Sequence, residues 1–226
     1  MQQIILLPGM DGTGRLYKPL LKEIGGRYKV KVVSYPKNEP LTYTELTAFV
    51  RSQLVDDVEY VIVAESFSGK VACLLAEDNS INIRNIIFIA SFLTSPNKYM
   101  KYIPNWLLKF LFSAYVPSVI ARSCLFDASV RKSLVNEFRD IIRSANKAVL
   151  AFRFCEMASL RSDTETVLIP ALYIRAKYDK LIKSIHVEDF RRKFNKFDLV
   201  EIEGPHFLAQ SEPEKCWKII SDHAQI

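Results

Sequence analysis

Residues 61–70 read VIVAESFSGK: four apolar residues, a Glu-Ser-Phe-Ser-Gly turn, then the start of a helix-like stretch. A short apolar run ended by a turn has the pattern of a strand buried on both faces. Outward from it, strand and helix patterns alternate. Before it come IILL (4–7), a helix near 15–24, YKVKVVS (28–34) and a helix near 42–55; the strand itself is YVIVA (60–64), followed by a helix near 67–77 and NIIFIA (85–90). After Pro170 the pattern resumes with ALYIRA (171–176), a helix near 184–194, FDLVEIE (197–203) and a helix near 211–223. Such alternation predicts an α/β fold, a mostly parallel central sheet flanked by crossover helices.

The middle of the chain reads differently. Between 95 and 161 strand-like runs vanish, and Val135, Phe138, Ile142, Ala145 and Val149 recur at helical spacing. A helical insertion, 95–161, is expected within a core formed by 1–94 and 162–226. It holds eleven Lys or Arg against four acids, whereas the remainder has twenty against twenty-one, so the net charge of +6 belongs to this segment.

At 226 residues the chain suits one domain, and 49% hydrophobic with 25% charged residues is the composition of a soluble globular protein. MQQIILLPGM has no basic leader and reads as a strand rather than a signal peptide. The greasiest stretch, Ile103 to Ile120, carries Lys109 and is broken by Pro104 and Pro117, so no transmembrane segment is expected. Cys73, Cys124, Cys155 and Cys216 lie far apart without a Cys-x-x-Cys pair, which points to reduced thiols serving as small core residues in a cytoplasmic protein. No metal site is predicted.

In a parallel sheet the carboxyl ends of the strands face the ligand crevice, and Ser66 stands just past such an end. A nucleophile there needs a turn so tight that the residues two positions away are small, as Ala64 and Ser68 are, with Gly69 following. Serine also caps helices well, so a helix cap is the plain alternative. A phosphate loop is disfavoured, because Ala64 and Val71 stand where it needs Gly and Ser or Thr.

A serine hydroxyl needs a general base, usually a histidine oriented by a carboxylate. His186 sits early in a predicted helix among charges and His223 near the C-terminus, both read as solvated surface groups. His206 follows the last strand in EIEGPHFLAQSEP, where Gly204 and Pro205 shape a turn. Asp179 follows the strand 171–176, and the order Ser66, Asp179, His206 is the one this architecture uses. The oxyanion formed on attack needs backbone N–H donors. Phe67, after the serine, and Met10, in LLPGMDGTG, are the candidates. The order Gly9, Gly12, Gly14 reverses the dinucleotide fingerprint, so no cofactor is expected.

These four stretches resemble the α/β-hydrolase superfamily: LLPGMDGTG its oxyanion loop, VIVAESFSGK its nucleophile elbow, LYIRAKYDKLI its acid loop and IEGPHFLAQSEPEK its histidine loop. The resemblance implies an α/β-hydrolase fold and a serine carboxylesterase, with Ser66 as nucleophile, His206 as base and acid, Asp179 as orienting carboxylate, and Met10 with Phe67 as oxyanion donors. Pro8 departs from the His that many members carry there, and the usual leading hairpin is absent.

Segment 95–161 then corresponds to a lid, whose Trp106, Leu107, Leu108, Phe110, Leu111 and Phe112 are expected to wall an acyl pocket or pack lid on body. Arg131, Arg139, Arg143 and Lys147 are expected on one helix face, opposite Val135, Phe138 and Ile142. That face is either solvated or docks an acidic partner. The layout is similar to the pimeloyl carrier-protein methyl ester esterases of biotin synthesis, which implies an acyl ester substrate borne by an acyl carrier protein. Thioesterase or acyltransferase action on acyl-CoA, acyl carrier protein or lipid stays open, the latter through PGMDGTG-like loops in plant phytyl ester synthases. So does a non-catalytic ligand receptor on the same scaffold. Nucleic acid is not expected, since no basic and aromatic platform is present.

Overall fold

Successive residues of a strand face opposite ways, so apolar runs such as IILL and VIVA require cover on both sides. The computed structural model, which describes residues 2–113, 130–161 and 165–226, meets that need with one six-stranded sheet. The strands β1 Gln2–Leu7, β2 Val30–Val32, β3 Glu59–Glu65, β4 Ile83–Ile89, β5 Ala171–Ala176 and β6 Phe197–Ile202 lie in the order β2-β1-β3-β4-β5-β6. Every pairing is parallel. Ile5, Leu7, Ile62, Ala64, Ile86 and Phe88 enter one core; Ile4, Leu6, Val61, Val63, Ile87 and Ile89 enter the other.

Helices α2 Tyr43–Arg51, α3 Gly69–Ala76 and α7 Val187–Lys193 cover the first face, through Leu46, Val50, Val71, Leu75 and Phe190. Helices α1 Lys18–Ile24 and α9 Pro213–Ala224 cover the second, through Leu20, Ile24, Cys216 and Ile220. A capping box starts α2: Thr42 Oγ1 accepts from the Glu45 N–H while Glu45 accepts from the Thr42 N–H at 2.8 Å. The edge strand β2 has three residues where 28–34 was expected, because it pairs on one side only and its side chains are half-buried.

Between β4 and β5 the described chain is helical: α4 Asn105–Ser113, α5 Lys132–Ser144 and α6 Lys147–Ser159. The apolar spacing from Val135 to Val149 spans two helices. Asn146 interrupts it, its side chain accepting from the Ala148 and Val149 N–H groups at 3.0 and 3.4 Å. Leu134, Val135 and Ile141 of α5 pack with Leu16, Val130 and Phe207. Residues 114–120 of the greasy stretch, and Arg122, Cys124 and Asp127, lie outside the described residues. Helix α8, Leu208–Ser211, is a single turn preceding α9.

Several expectations require correction. His186 is buried rather than solvated: a 3₁₀ turn at Ser184–His186 tucks it under the loop after β4, with Nδ1 3.2 Å from Thr94 Oγ1 and Nε2 3.3 Å from the Pro96 carbonyl. His223 is half-buried, 3.5 Å from Asp198, and burial lowers its pKa. Cys73 and Cys216 are core residues, but Cys155 is exposed on α6. Among the described residues no helix is long and apolar enough to cross a membrane.

The turn after β3 depends on Gly69, where a Cβ would overlap Ser91 Oγ and lie 3.3 Å from the Phe92 carbonyl. Gly69→Ala is expected to lower the urea-unfolding free energy by about 1–3 kcal/mol. Adding Ser91→Ala, which removes the overlapped oxygen, is expected to recover part of that loss.

Candidate active site

The parallel registers align the strand ends. Leu7 lies beside Ala64, Glu65 beside Ile89 and Ala176 beside Ile202, so the loops after β1, β3, β5 and β6 rise from one edge. Ser66 heads the β3 loop with φ of 49°, a left-handed conformation uncommon in non-glycine residues. The Ser91 hydroxyl at the end of β4 donates to the Ser66 carbonyl at 2.6 Å, holding the turn from the neighbouring strand. Ala64 is fully buried, so a larger side chain there would displace the core.

His206 brings the three predicted side chains together. Its Nε2 is 3.0 Å from Ser66 Oγ and its Nδ1 is 2.8 Å from Asp179 Oδ2. The other Asp179 oxygen accepts from the Leu181 and Ile182 N–H groups at 2.8 and 2.9 Å. With three donors, Asp179 is an acceptor that fixes the imidazole tautomer: Nδ1 carries the proton and Nε2 turns its lone pair to the serine. The histidine loop is held by the Tyr178 N–H, which donates to the Gly204 carbonyl at 3.0 Å. Phe207 meets the His206 ring edge-on at 5.3 Å and Phe138 of α5 at 5.2 Å.

Gly9 and Met10 line the same cavity as Ser66 and His206. Phe67 is the second residue of the 3₁₀ turn Ser66–Ser68 that opens α3, where the helix offers its N–H no internal acceptor. The Ser68 hydroxyl donates to the Pro8 carbonyl, and the Tyr35 hydroxyl, 2.6 Å away, donates to Ser68. Ser68 therefore does more than be small: it ties the elbow to the loop after β1.

The cavity, about 1180 Å³, is walled by Phe92, Met100, Phe112, Phe138, Phe154 and Phe207 among others. Of the expected acyl-wall residues, only Phe112 reaches it; Leu108 is buried elsewhere, and Trp106, Phe110 and Leu111 are exposed. The basic residues also depart from expectation. Arg139, Arg143 and Lys147 share the cavity wall with Phe138 and Ile142 rather than facing away: each arginine directly follows its apolar neighbour on α5, and the break at Asn146 puts Lys147 on a second helix. Arg131 is the exposed N-cap of α5, outside the cavity lining. The Lys147 ammonium donates to the Ile142 and Arg143 carbonyls at 2.6 and 2.8 Å, closing the end of α5.

Two groups escaped the sequence reading. Arg153 of α6 is buried against the loop after β1. Glu65, beside the serine, is buried, and Gln210 Nε2 donates to it at 3.1 Å. The second oxygen of Glu65 and the amide oxygen of Gln210 have no partner among the described residues. Burial pushes the Glu65 carboxyl up to about 7, against the lowering effects of Gln210 and His206. Burial likewise raises Asp11, opposed by its hydrogen bonds from Thr13 and by Arg153.

Glu65 gives a pH prediction. Its pKa is higher folded than unfolded, so its contribution to stability is full below pH 4.5 and disappears as pH rises through about 7. In urea unfolding, the stability of the wild type relative to Glu65→Gln is expected to fall by on the order of 3 kcal/mol across that window. A flat difference would show Glu65 ionised throughout.

No family model matches the chain, and no curated protein matches it in sequence. Solved structures do match in three dimensions. A thermophilic esterase from Thermogutta terrifontis, with malate bound, superposes with a TM-score of 0.80 at 16% identity, over 100% of this chain and 90% of that one. MenH from S. aureus gives 0.77 at 14%, over 100% and 95%. An alpha/beta hydrolase fold protein from Chitinophaga pinensis gives 0.72 at 12%, over 98% and 87%. At such identities the likeness concerns architecture, and the architecture of this chain is the α/β-hydrolase fold.

Proposed function

We propose that this protein is a serine hydrolase that cleaves carboxylic esters through an acyl-enzyme. The observation that carries this reading is the unbroken chain from Ser66 Oγ through His206 to Asp179, set in the wall of a large apolar cavity. Ser66 Oγ attacks the ester carbonyl carbon while its proton passes to His206 Nε2. The negative oxygen is received by the Met10 and Phe67 N–H groups, and Asp179 steadies the imidazolium. As the tetrahedral intermediate collapses, the carbon–oxygen bond to the alcohol breaks and His206 returns its proton to the leaving oxygen. Water then attacks the acyl-enzyme with His206 as base, releasing the acid and restoring Ser66.

In this reading residues 95–161 are a lid over a core of 1–94 and 162–226, and the favoured substrate is a pimeloyl carrier-protein methyl ester. The concentration of positive charge in 95–161 supports an acidic partner, and the aromatic cavity supports an acyl chain. Arg131 faces solvent, while Arg139, Arg143 and Lys147 stand at the cavity, suited to an anionic carrier group entering it. A carrier-bound substrate would place the reaction in the cytoplasm. The same acyl-enzyme permits thioesterase or acyltransferase action, which added alcohol would reveal as transfer product.

Ser66→Ala is expected to reduce steady turnover of a short p-nitrophenyl ester by about 10⁴-fold or more. Retention of full activity would move the nucleophile elsewhere. Absence of turnover in the wild type at high protein concentration would favour a ligand receptor. Charge reversal by Arg139→Glu with Arg143→Glu is expected to slow the carrier-bound ester about tenfold or more while sparing the free ester. Equal slowing of both rejects carrier docking.

A further inference from the structure

A charged side chain is almost never fully buried unless its charge is answered, yet Arg153 of α6 is 3% exposed. Its Nη1 donates to the Met10 carbonyl at 3.0 Å, its Nη2 to the Pro36 carbonyl at 3.2 Å, and its guanidinium carbon lies 5.5 Å from the centre of the Tyr35 ring. The Asp11 carboxylate supplies opposite charge nearby. The loop is shaped around this group. Gly12 has φ of 72°, and a Cβ there would overlap the guanidinium.

Two carbonyls of this loop held by side chains flank the Met10 N–H, one of the two donors that the proposed chemistry needs. Pro8 is held through its carbonyl by Ser68 of the elbow, and Met10 through its carbonyl by Arg153. Each carbonyl belongs to a rigid peptide plane, and the Met10 N–H belongs to the plane between them. The Gly9 carbonyl of that plane accepts from the Gly12 N–H at 3.0 Å, and fixing both neighbouring planes as well leaves the Met10 N–H little freedom to swing. Meanwhile α6 also presents Lys147, Phe154 and Met157 to the cavity, so one helix touches both the ligand space and the loop.

We propose that Arg153 is a positioning residue that couples α6 to the oxyanion loop, holding the Met10 carbonyl so that the Met10 N–H points to the site of the oxyanion. This rests on the serine-hydrolase reading. Ligand contacts on α6 are thereby transmitted to the donor that stabilises the transition state.

The test compares Arg153→Lys and Arg153→Met with the wild type, using a p-nitrophenyl ester, a trifluoromethyl ketone and the corresponding unreactive secondary alcohol. The ketone forms a serine adduct bearing an oxyanion; the alcohol only fills the cavity. In Arg153→Lys, which keeps the charge but loses the two-pronged reach, kcat is expected to fall about 10- to 100-fold with little change in KM. Ketone affinity should weaken by the same factor and alcohol affinity stay unchanged, with the Met variant worse than Lys. Equal weakening of ketone and alcohol, or a raised KM with unchanged kcat, overturns the proposal in favour of a purely structural role. Amide hydrogen exchange over residues 9–14 is a second readout, independent of turnover. Faster exchange confined to that loop in Arg153→Lys is expected, and unchanged exchange overturns the proposal even if the Met variant unfolds. A wild type without turnover instead sinks the hydrolase reading, and the exchange result alone then decides whether Arg153 holds the loop.

Discussion

The architecture depends on one residue held against its own preference. Ser66 has a positive φ, a conformation that costs on the order of 1–3 kcal/mol outside glycine and persists only where the surroundings over-determine it. Here the surroundings are the two central strands. β3 delivers the turn, β4 beside it delivers Ser91, and the Ser91 hydroxyl captures the Ser66 carbonyl while Gly69 lets α3 close against it. The strand order is therefore part of the site. Separating β3 from β4 would leave the serine free to relax to an ordinary helix-capping geometry, the alternative that its sequence context also permits.

Two carboxylates near this turn show how environment assigns roles. Asp179 accepts from two backbone N–H groups and from His206, so its acceptor role is fully answered. Glu65 is adjacent to Ser66 in sequence but, among the described residues, receives one side-chain hydrogen bond and leaves an oxygen without a partner. Burial then favours its neutral form toward pH 7. A second full negative charge close to the histidine would stabilise the imidazolium without orienting it. The fold thus aligns one acid on the imidazole through hydrogen bonds and, through burial, shifts the other toward its neutral form.

How far the sequence was legible follows from the range of each signal. Strand periodicity is local, so the sheet emerges from IILL, YVIVA, NIIFIA and ALYIRA with boundaries shifted by a residue or two. The meeting of Ser66, Asp179 and His206 was also readable, because each sits just past a strand end and the topology brings those ends together. Arg153 was not readable: its partner Met10 is 143 residues away, and on a helix of a basic segment it looks like any solvated arginine. His186 misled for a similar reason, since its charged neighbours say nothing of the loop that covers it. The basic stripe failed because Arg139 and Arg143 directly follow Phe138 and Ile142 on α5, and because Asn146, as a cap, breaks the helical phase before Lys147.

Where it is described, the segment between β4 and β5 meets the rest of the molecule at several points. Phe138 reaches Phe207 beside the histidine, Glu137 meets Lys18 of α1, Glu156 accepts from the Tyr43 N–H at the start of α2, and Arg153 holds the loop after β1. Exposed ion pairs such as Glu137 with Lys18 contribute little to stability. Buried side chains join it to the body at Leu16, at Phe207 and at the loop after β1. The described part of the segment thus borders both His206, through Phe207, and the loop after β1, through the Met10 carbonyl.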